Sequence, residues 1–258
     1  MAQGVGVLDA EVDADAVVRA VSAGGGTAPG DVVVLDLPGN LRDRIDALAV
    51  DGDLGEVLAL LASDLVGFQD TRCAADFLDA VAVVHGAEER VAPGSARLTE
   101  AVARGLHKLT AYKDEYEVAR LLVGPEARAA AESVGGPGAR ATWHLHPPLH
   151  QELGMGGKLC VPAGVGRPVM RLMAAGRRLR GTPFDPFGRT EVRRLERALV
   201  AEYRAAIATV AANLSAGNLD EAVDLAASAM DVRGYERLKL ERGGAFREGL
   251  ERRLAAFA

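Results

Sequence analysis

Two stretches of the chain concentrate the side chains that could bind or react. The first, residues 106–122, reads LHKLTAYKDEYEVARLL, and the second, residues 179–203, reads LRGTPFDPFGRTEVRRLERALVAEY. We call them the two charged stretches. Close mixtures of acidic, basic and aromatic residues are typical of ion-paired helix faces and of surfaces that contact another protein. Neither stretch shows a nucleophile elbow or diagnostically spaced carboxylates, so no catalytic residue is assigned.

The first charged stretch lies on a predicted helix. Apolar residues recur at steps of three and four from 98 to 123, which predicts one continuous amphipathic helix that Thr99 or Ser95 caps and Gly124 and Pro125 end. Its charged face has two interpretations, a salt-bridged stripe that faces solvent or a contact surface for another domain or subunit. The residues of that face are Lys113, Asp114, Glu117 and Arg120. Tyr112 and Tyr116 are expected in the core.

The second charged stretch begins with a segment rich in proline and glycine, residues 182–188, which we call the strap. Its prolines stiffen it, and Phe184 and Phe187 are expected to anchor it onto the helices. Asp185 lies between them as a candidate contact residue. Thr190 is then expected to cap the next helix.

Nine arginines gather between residues 167 and 197, among them Arg180, Arg193 and Arg194. Such a run predicts either a solvated face whose arginines pair with nearby glutamates, or a docking surface for an acidic partner. Further along, Asn218 and Glu221 are spaced like a capping box, which predicts a last helix that reaches residue 229.

The segment between the charged stretches is predicted to be a β-hairpin. Residues 141–146 alternate as a strand does, residues 158–162 form a second candidate strand, and the prolines and glycines between them suit a loose turn. His144 and His146 project to one side of the first strand, and His150 follows a few residues later. This spacing suggests a zinc site. No metal site is assigned, because no acidic ligand has the diagnostic spacing. His144 remains a candidate binding residue.

These patterns together predict a mainly α-helical protein with a small inserted β-hairpin. Residues 1–40 form a poorly specified lead-in, with a short helix at 14–21 and a strand or docked extended segment at 31–37. Residues 41–258 form the helical domain. Its apolar spacing predicts one or two helices within 41–85.

Composition narrows the class of protein. The chain has 258 residues, of which 49% are hydrophobic, enough for a sizeable core. Its net charge of -6 argues against nucleic-acid binding, and its apolar runs are too short to span a membrane. The acidic amino end lacks the features of a secretory signal, which predicts a cytoplasmic protein. Two cysteines, Cys73 and Cys160, fit a reducing compartment and are too few for an iron–sulfur cluster built by this chain alone.

Three sequence blocks carry a resemblance to a known family. They are AYKDEYEVARL at residues 111–121, WHLHPP at 143–148 and LRGTPFDPFG at 179–188. In this order they resemble the C-terminal domain, itself of unknown function, of the fused indolepyruvate ferredoxin oxidoreductases, members of the 2-oxoacid:ferredoxin oxidoreductase family. The resemblance covers roughly the last four fifths of the chain. The family pattern FHLAPP keeps His144 and has alanine at position 146.

The resemblance implies an accessory domain or subunit, structural or regulatory, of a system that oxidatively decarboxylates aryl-pyruvates. The expected partners are the catalytic subunits or domains of that system, with ferredoxin as a further candidate. Thiamine diphosphate, magnesium, coenzyme A and iron–sulfur clusters are expected in those partners and none in this chain alone, because it lacks a GDG motif with its distant asparagine and has few cysteines. The chain is therefore not expected to be catalytic alone. The alternative is a free-standing, non-catalytic binding protein derived from that domain.

Overall fold

The computed structural model describes residues 37–50, 53–145, 159–234 and 236–257. These residues form ten α-helices and one two-stranded antiparallel sheet, which confirms the predicted helical fold with an inserted hairpin. The helices are α1 Gly39–Asp46, α2 Leu54–Phe68, α3 Thr71–Val91, α4 Arg97–Thr110, α5 Glu115–Val123, α6 Pro125–Gly135, α7 Ala163–Ala175, α8 Glu191–Ala212, α9 Leu219–Ala227 and α10 Glu236–Leu254. The strands are β1 Thr142–Leu145 and β2 Leu159–Pro162. Among the described helices, none combines the length and apolar character needed to cross a membrane.

A large hydrophobic core joins α1–α4 to α8–α10. Its helices bury residues at steps of three and four, as the apolar spacing predicts. Tyr203 of α8 is fully buried, and its hydroxyl donates to the carbonyl oxygen of Ala226 at 2.9 Å. Gly105 makes this approach feasible, because a Cβ there would lie 2.5 Å from the Tyr203 hydroxyl oxygen. A side chain at position 105 would therefore force α4 away from α8.

A small hydrophobic core lies between α5, α7 and the hairpin. It has five buried residues, which are Ala119, Trp143, Ala163, Met170 and Ala174. Gly166 lets α7 pack closely on the hairpin, because a Cβ there would lie 2.6 Å from Val161 Cγ1. The small core is thus built from few and mostly small side chains.

The hairpin pairs its two strands in antiparallel register. Trp143 lies opposite Val161, and His144 lies opposite Cys160. The two predicted strands are confirmed at residues 142–145 and 159–162. Residue 141 lies outside β1, and residues 146 and 158 lie outside the described residues. His146 and His150 lie outside the described residues, so the expectation that the hairpin holds no zinc stays a prediction.

The predicted continuous helix over residues 98–123 is wrong. Helix α4 ends at Thr110 and α5 begins at Glu115, with a short non-helical link between them. The break follows from Asp114, whose Oδ1 accepts a hydrogen bond from the backbone N–H of Glu117 at 2.8 Å and so starts a new helix. The apolar periodicity continues across the break, which explains why it suggested one helix.

Other helix ends agree with the sequence in part. Helix α5 ends before Gly124, as predicted, and Pro125 begins α6, which the sequence analysis does not predict. Thr190 caps α8 by accepting from the backbone N–H of Arg193 at 3.3 Å, also as predicted. The capping box at Asn218 is wrong, because the Asn218 side chain accepts from Ser215 instead of from α9.

The number of helices exceeds the prediction. Residues 41–85 contribute to three helices in place of one or two, and α1 begins at Gly39, inside the expected lead-in. Helices α6, α7 and α10 are not predicted from the sequence. The helix expected at 14–21 lies outside the described residues, as does the strand expected at 31–37 except for Leu37.

Candidate functional site

The two charged stretches meet in the interior of the protein. Arg180 and Asp114, 66 positions apart, are each less than a tenth exposed. The Arg180 guanidinium donates to both carboxylate oxygens of Asp114, from Nε at 2.6 Å and from Nη2 at 2.8 Å. This two-point geometry suits a planar guanidinium and a carboxylate, and it fixes their relative orientation. Asp114 therefore caps α5 and also binds the segment that follows α7.

Arg180 also ties this pair to the large core. Its Nη1 donates to the carbonyl oxygen of Phe68, the last residue of α2, at 2.5 Å. The guanidinium carbon lies 3.6 Å from the centroid of the Phe68 ring, within the range of a cation–π contact. The expectation that Arg180 belongs to a solvated or docking surface is wrong, because its charge is fully engaged inside the protein.

The strap is held by a second buried carboxylate, Asp185. Its oxygens accept from the backbone N–H groups of Gly181 at 3.0 Å and Phe187 at 3.1 Å. The Tyr116 hydroxyl of α5 donates to Asp185 at 3.2 Å. Burial, together with the Asp185 carboxylate, raises the pKa of Tyr116 to about 12. The Arg180 guanidinium carbon lies 5.6 Å from the centroid of the Tyr116 ring and so connects the two carboxylates' groups. We call Asp114, Tyr116, Arg180 and Asp185 the junction.

The phenylalanines of the strap have different environments. Phe187 packs edge-on against Tyr116, with ring centroids 5.3 Å apart, and anchors the strap as predicted. Phe184 is 81% exposed, so its predicted anchoring role is wrong. Pro183 and Pro186 flank a turn that Asp185 closes, and this turn directs Phe184 outward.

A second ion-paired group joins α5 to α2 and α4. Arg120 of α5 donates to Glu117 at 2.6 Å and to Asp64 of α2 at 2.6 Å, and Asp64 also lies 2.9 Å from Nε2 of His107. Burial alone would raise the pKa of Asp64, but its hydrogen bonds and the Arg120 charge lower it to about 2. Gly67 provides room for Arg120, because a Cβ there would lie 2.8 Å from its Nη1.

Glu117 is thus not part of an exposed helical pair. It is buried, and its oxygens face Arg120 three residues later. Lys113 precedes the first residue of α5, so the prediction that Lys113 and Glu117 share one helix face is wrong.

Arg193 of α8 organises a third group. Its guanidinium donates to Glu196 at 2.6 Å and to the carbonyl oxygen of Lys113 at 3.1 Å, and it lies 3.5 Å from Glu115. Glu196 also accepts from Lys239 of α10. Arg193 is therefore mostly buried, whereas its neighbour Arg194 is exposed.

Arg194 does not join these groups, because it faces solvent. His144 lies on β1, opposite Cys160. The structure thus brings together the candidates Lys113, Asp114, Arg180, Asp185 and Arg193 around the start of α5. Glu117 and Arg120 lie further along the same helix.

Sequence reasoning missed one buried acid, Glu88 of α3. It is fully buried and accepts four hydrogen bonds, from the backbone N–H groups of Leu98 and Thr99 and from the hydroxyls of Ser95 and Thr99, at 2.7 to 2.9 Å. Burial alone would raise the pKa of Glu88, but these hydrogen bonds lower it. Glu88 thereby caps α4 in place of the expected Ser95 or Thr99. The sequence does contain a sign of this role, because Glu88 occupies a position where the apolar spacing of α3 calls for a buried residue.

The arrangement favours holding helices together over reacting with a substrate. Within the junction, Asp114 and Arg180 face each other at hydrogen-bonding distance, so their charges compensate each other. Asp185 instead accepts from two backbone N–H groups and from the Tyr116 hydroxyl. Among the described residues, no group of three or more histidine, cysteine, aspartate or glutamate side chains could hold a metal ion. Beside the junction lies an open, mostly apolar groove of about 490 Å³, lined by Tyr116, Leu172, Gly176 and Phe187 among others.

Comparison with known proteins gives a family and no activity. No curated protein and no solved structure matches the chain. Residues 54–252 match a family of unknown function, DUF6537. The match runs from the first residue of α2 almost to the end of α10, so it includes the small core, the junction and the large core apart from α1, Leu37 and Phe257. This chain therefore belongs to the DUF6537 family.

Proposed function

We propose that the protein is an accessory domain or subunit, structural or regulatory, of an indolepyruvate or other 2-oxoacid:ferredoxin oxidoreductase system. The proposal rests first on the resemblance of residues 111–121, 143–148 and 179–188 to the C-terminal domain of those enzymes. In that system the oxidative decarboxylation of aryl-pyruvates would be carried out by partner subunits.

One structural observation supports an accessory role. The first and third of these blocks contact each other through Asp114 with Arg180 and through Tyr116 with Asp185. The polar residues that make the blocks distinctive thus stabilise the arrangement of α5, the strap and α2. A structural role of this kind accounts for these buried polar residues without a substrate, because their hydrogen bonds and ion pairs fix the relative positions of the helices.

The cofactor chemistry is assigned to the partners on sequence grounds. Thiamine diphosphate is held through magnesium, and iron–sulfur clusters need several cysteine thiolates, whereas this chain contains two cysteines in all. We therefore expect thiamine diphosphate, magnesium, coenzyme A and the clusters to bind in the catalytic subunits, and ferredoxin to accept the electrons there.

Co-purification tests the proposal. Tagged protein isolated from its native cells is expected to retain the catalytic subunits in fixed stoichiometry, and an equally tagged helical protein of similar charge serves as the control. Reduction of a viologen dye by indolepyruvate with thiamine diphosphate, magnesium and coenzyme A is expected from the complex and not from this chain alone. Isolation without those subunits, or activity of the chain alone, contradicts the proposal. Isolation without the catalytic subunits would favour the alternative, a free-standing binding protein.

A further inference from the structure

The outward side of α7 is unusually apolar. The inward side packs Ala163, Met170 and Ala174 into the small core. The outward residues are Gly164, Val165, Pro168, Val169, Arg171, Leu172 and Ala175. Only one of these seven is charged, although a helix that faces water normally carries polar residues on that side. Val165 is 76% exposed and Leu172 is 75% exposed.

The apolar surface continues past the end of α7. Leu179 is 42% exposed, and together with Leu172 it lines the groove of about 490 Å³ that separates α7 from the strap. Phe187 and Pro186 form the opposite wall of that groove. We call Val165, Val169, Leu172 and Leu179, with the groove, the α7 face. A contiguous apolar surface rimmed by polar groups marks an interaction site more often than free surface.

The segment that carries the α7 face contributes almost only positive charges. Residues 159–190 contain six arginines, no lysine and one acidic residue, Asp185. Asp185 and Arg180 are buried in the junction, so they contribute little to the surface. Arg171 and Arg178 are exposed, and neither has an ion-pair partner among the described residues. The rim of the α7 face is therefore positively charged, although the whole chain has a net charge of -6.

We propose that the α7 face is the docking surface for a partner protein that presents an apolar protrusion surrounded by carboxylates. The inference rests on the proposed function, in which that partner is a catalytic subunit. The groove would receive the protruding side chain, and Arg171 and Arg178 would pair with the carboxylates. Complementary charge of this kind directs encounter and fixes orientation, and arginine is enriched at protein interfaces where lysine is depleted.

An anionic membrane could also attract an apolar surface with a basic rim. The composition of the α7 face favours a protein. Helices that lie on membranes carry lysine or arginine on one face and tryptophan, phenylalanine or leucine on the other, whereas the large exposed apolar residues of α7 are two valines and one leucine, with no aromatic residue among them. A concave groove also suits an inserted side chain better than a lipid surface.

Substitutions on the α7 face test the apolar contact. Leu172→Glu and, separately, Val165→Glu are expected to raise the dissociation constant for the isolated catalytic subunits by tenfold or more. The matched control is Val83→Glu, because Val83 of α3 is also well exposed, at 61%, and lies outside the α7 face. This control is expected to bind within twofold of the wild type. Unchanged thermal unfolding of each variant would show that the fold is intact, and the second variant replaces the first if one is unstable.

Charge reversal tests the basic rim. The double variant Arg171→Glu, Arg178→Glu is expected to weaken binding at least tenfold at low salt and to flatten its dependence on ionic strength. The matched control is Arg252→Glu, Arg253→Glu on α10, where both arginines are exposed. The control should retain the affinity and salt dependence of the wild type.

The outcomes separate the two proposals. If the wild type does not bind the catalytic subunits, the proposed function fails and the docking inference fails with it. If the wild type binds and the α7 variants bind equally well, only the docking inference is overturned. Self-association that Leu172→Glu abolishes would assign the face to a second copy. Capture by phosphatidylserine vesicles, lost in the same variant, would assign it to a membrane. Either result overturns the inference.

Discussion

The large core and the small core differ in the number and size of the side chains that they bury. The large core draws fully buried aromatic and aliphatic residues from seven helices, and its buried acid Glu88 has four hydrogen-bond donors. The small core has five buried residues, three of them alanine, and its helix α7 exposes large aliphatic side chains to water. The large core thus supplies most of the stability, while the small core is the part that a partner surface would complete.

The two cores are connected mainly by charged groups. Arg180 links Asp114 of α5 to the end of α2, and Arg120 links α5 to Asp64. Buried ion pairs add little net stability compared with apolar packing, but removal of one member leaves a buried charge uncompensated. The connection between the cores is therefore specific in geometry and sensitive to single substitutions.

The largest effect is expected from breaking that connection. Arg180→Met should lower the free energy of unfolding by about 3–5 kcal/mol, because Asp114 would remain buried without its partner. Urea unfolding measures the change. The adjacent exposed arginine gives the control, since Arg178→Met should stay within about 0.5 kcal/mol of the wild type. A loss below about 1 kcal/mol for Arg180→Met would show that the junction does not hold the cores together.

Glu88→Gln tests how completely the large core satisfies its polar groups. We expect the free energy of unfolding to fall by about 1.5–3 kcal/mol. The glutamine N–H₂ would replace one carboxylate oxygen and would then face the hydrogen-bond donors of Leu98 or Thr99, which it cannot accept from. Glu89→Gln, at the neighbouring exposed position, is the matched control and should be nearly neutral. Equal effects of the two substitutions on thermal unfolding would refute the capping role of Glu88.

A pH effect is expected from Asp64, at the boundary between the cores. Its pKa in the folded protein is about 2, below the ordinary aspartate value of 3.8, so ionised Asp64 stabilises the fold above pH 4 and loses this contribution as the pH falls through 2. About a third of the side chain is exposed, so screening limits the effect to about 1–2 kcal/mol.

Asp64→Asn isolates that contribution. The difference in unfolding free energy between the wild type and Asp64→Asn should be greatest near pH 5 and should shrink as the pH falls from 4 toward 2. A difference that stays constant over this range would contradict the assigned pKa.

The smallest effect on stability is expected on the α7 face. Val169→Ser should change the free energy of unfolding by less than about 0.5 kcal/mol, because Val169 is 57% exposed. Val81→Ser, at a fully buried position of the large core, should cost more than about 2 kcal/mol through a cavity and an unsatisfied hydroxyl. Comparable losses at the two positions would mean that the α7 face is packed and not available for docking.

Local patterns in the sequence predicted much of this fold. The hairpin, the Thr190 cap and the stop at Gly124 and Pro125 follow from turn and capping chemistry that acts over a few residues. Helix α7 escaped prediction because glycines and Pro168 interrupt its pattern, and α10 because it is weakly amphipathic.

The site depended on contacts that one sequence does not reveal. Asp114 and Arg180 were both identified as candidates, but their pairing spans 66 positions, so both were placed on exposed faces. Asp64 and Glu88 are not among the sequence candidates, because their partners lie on other helices. The break before α5 was visible in principle, since aspartate is a preferred cap, yet the apolar periodicity on both sides concealed it.

Hydrogen exchange of the chain, alone and bound to the catalytic subunits, tests the central claim most directly. In the free protein, α3, α4 and α8 of the large core should exchange slowly, and α5 and α7 should exchange faster because fewer buried contacts hold them. Binding should slow exchange in α7 and residues 176–188 and leave α3 and α10 unchanged. Protection that appears only on the large core, or nowhere, would contradict the account.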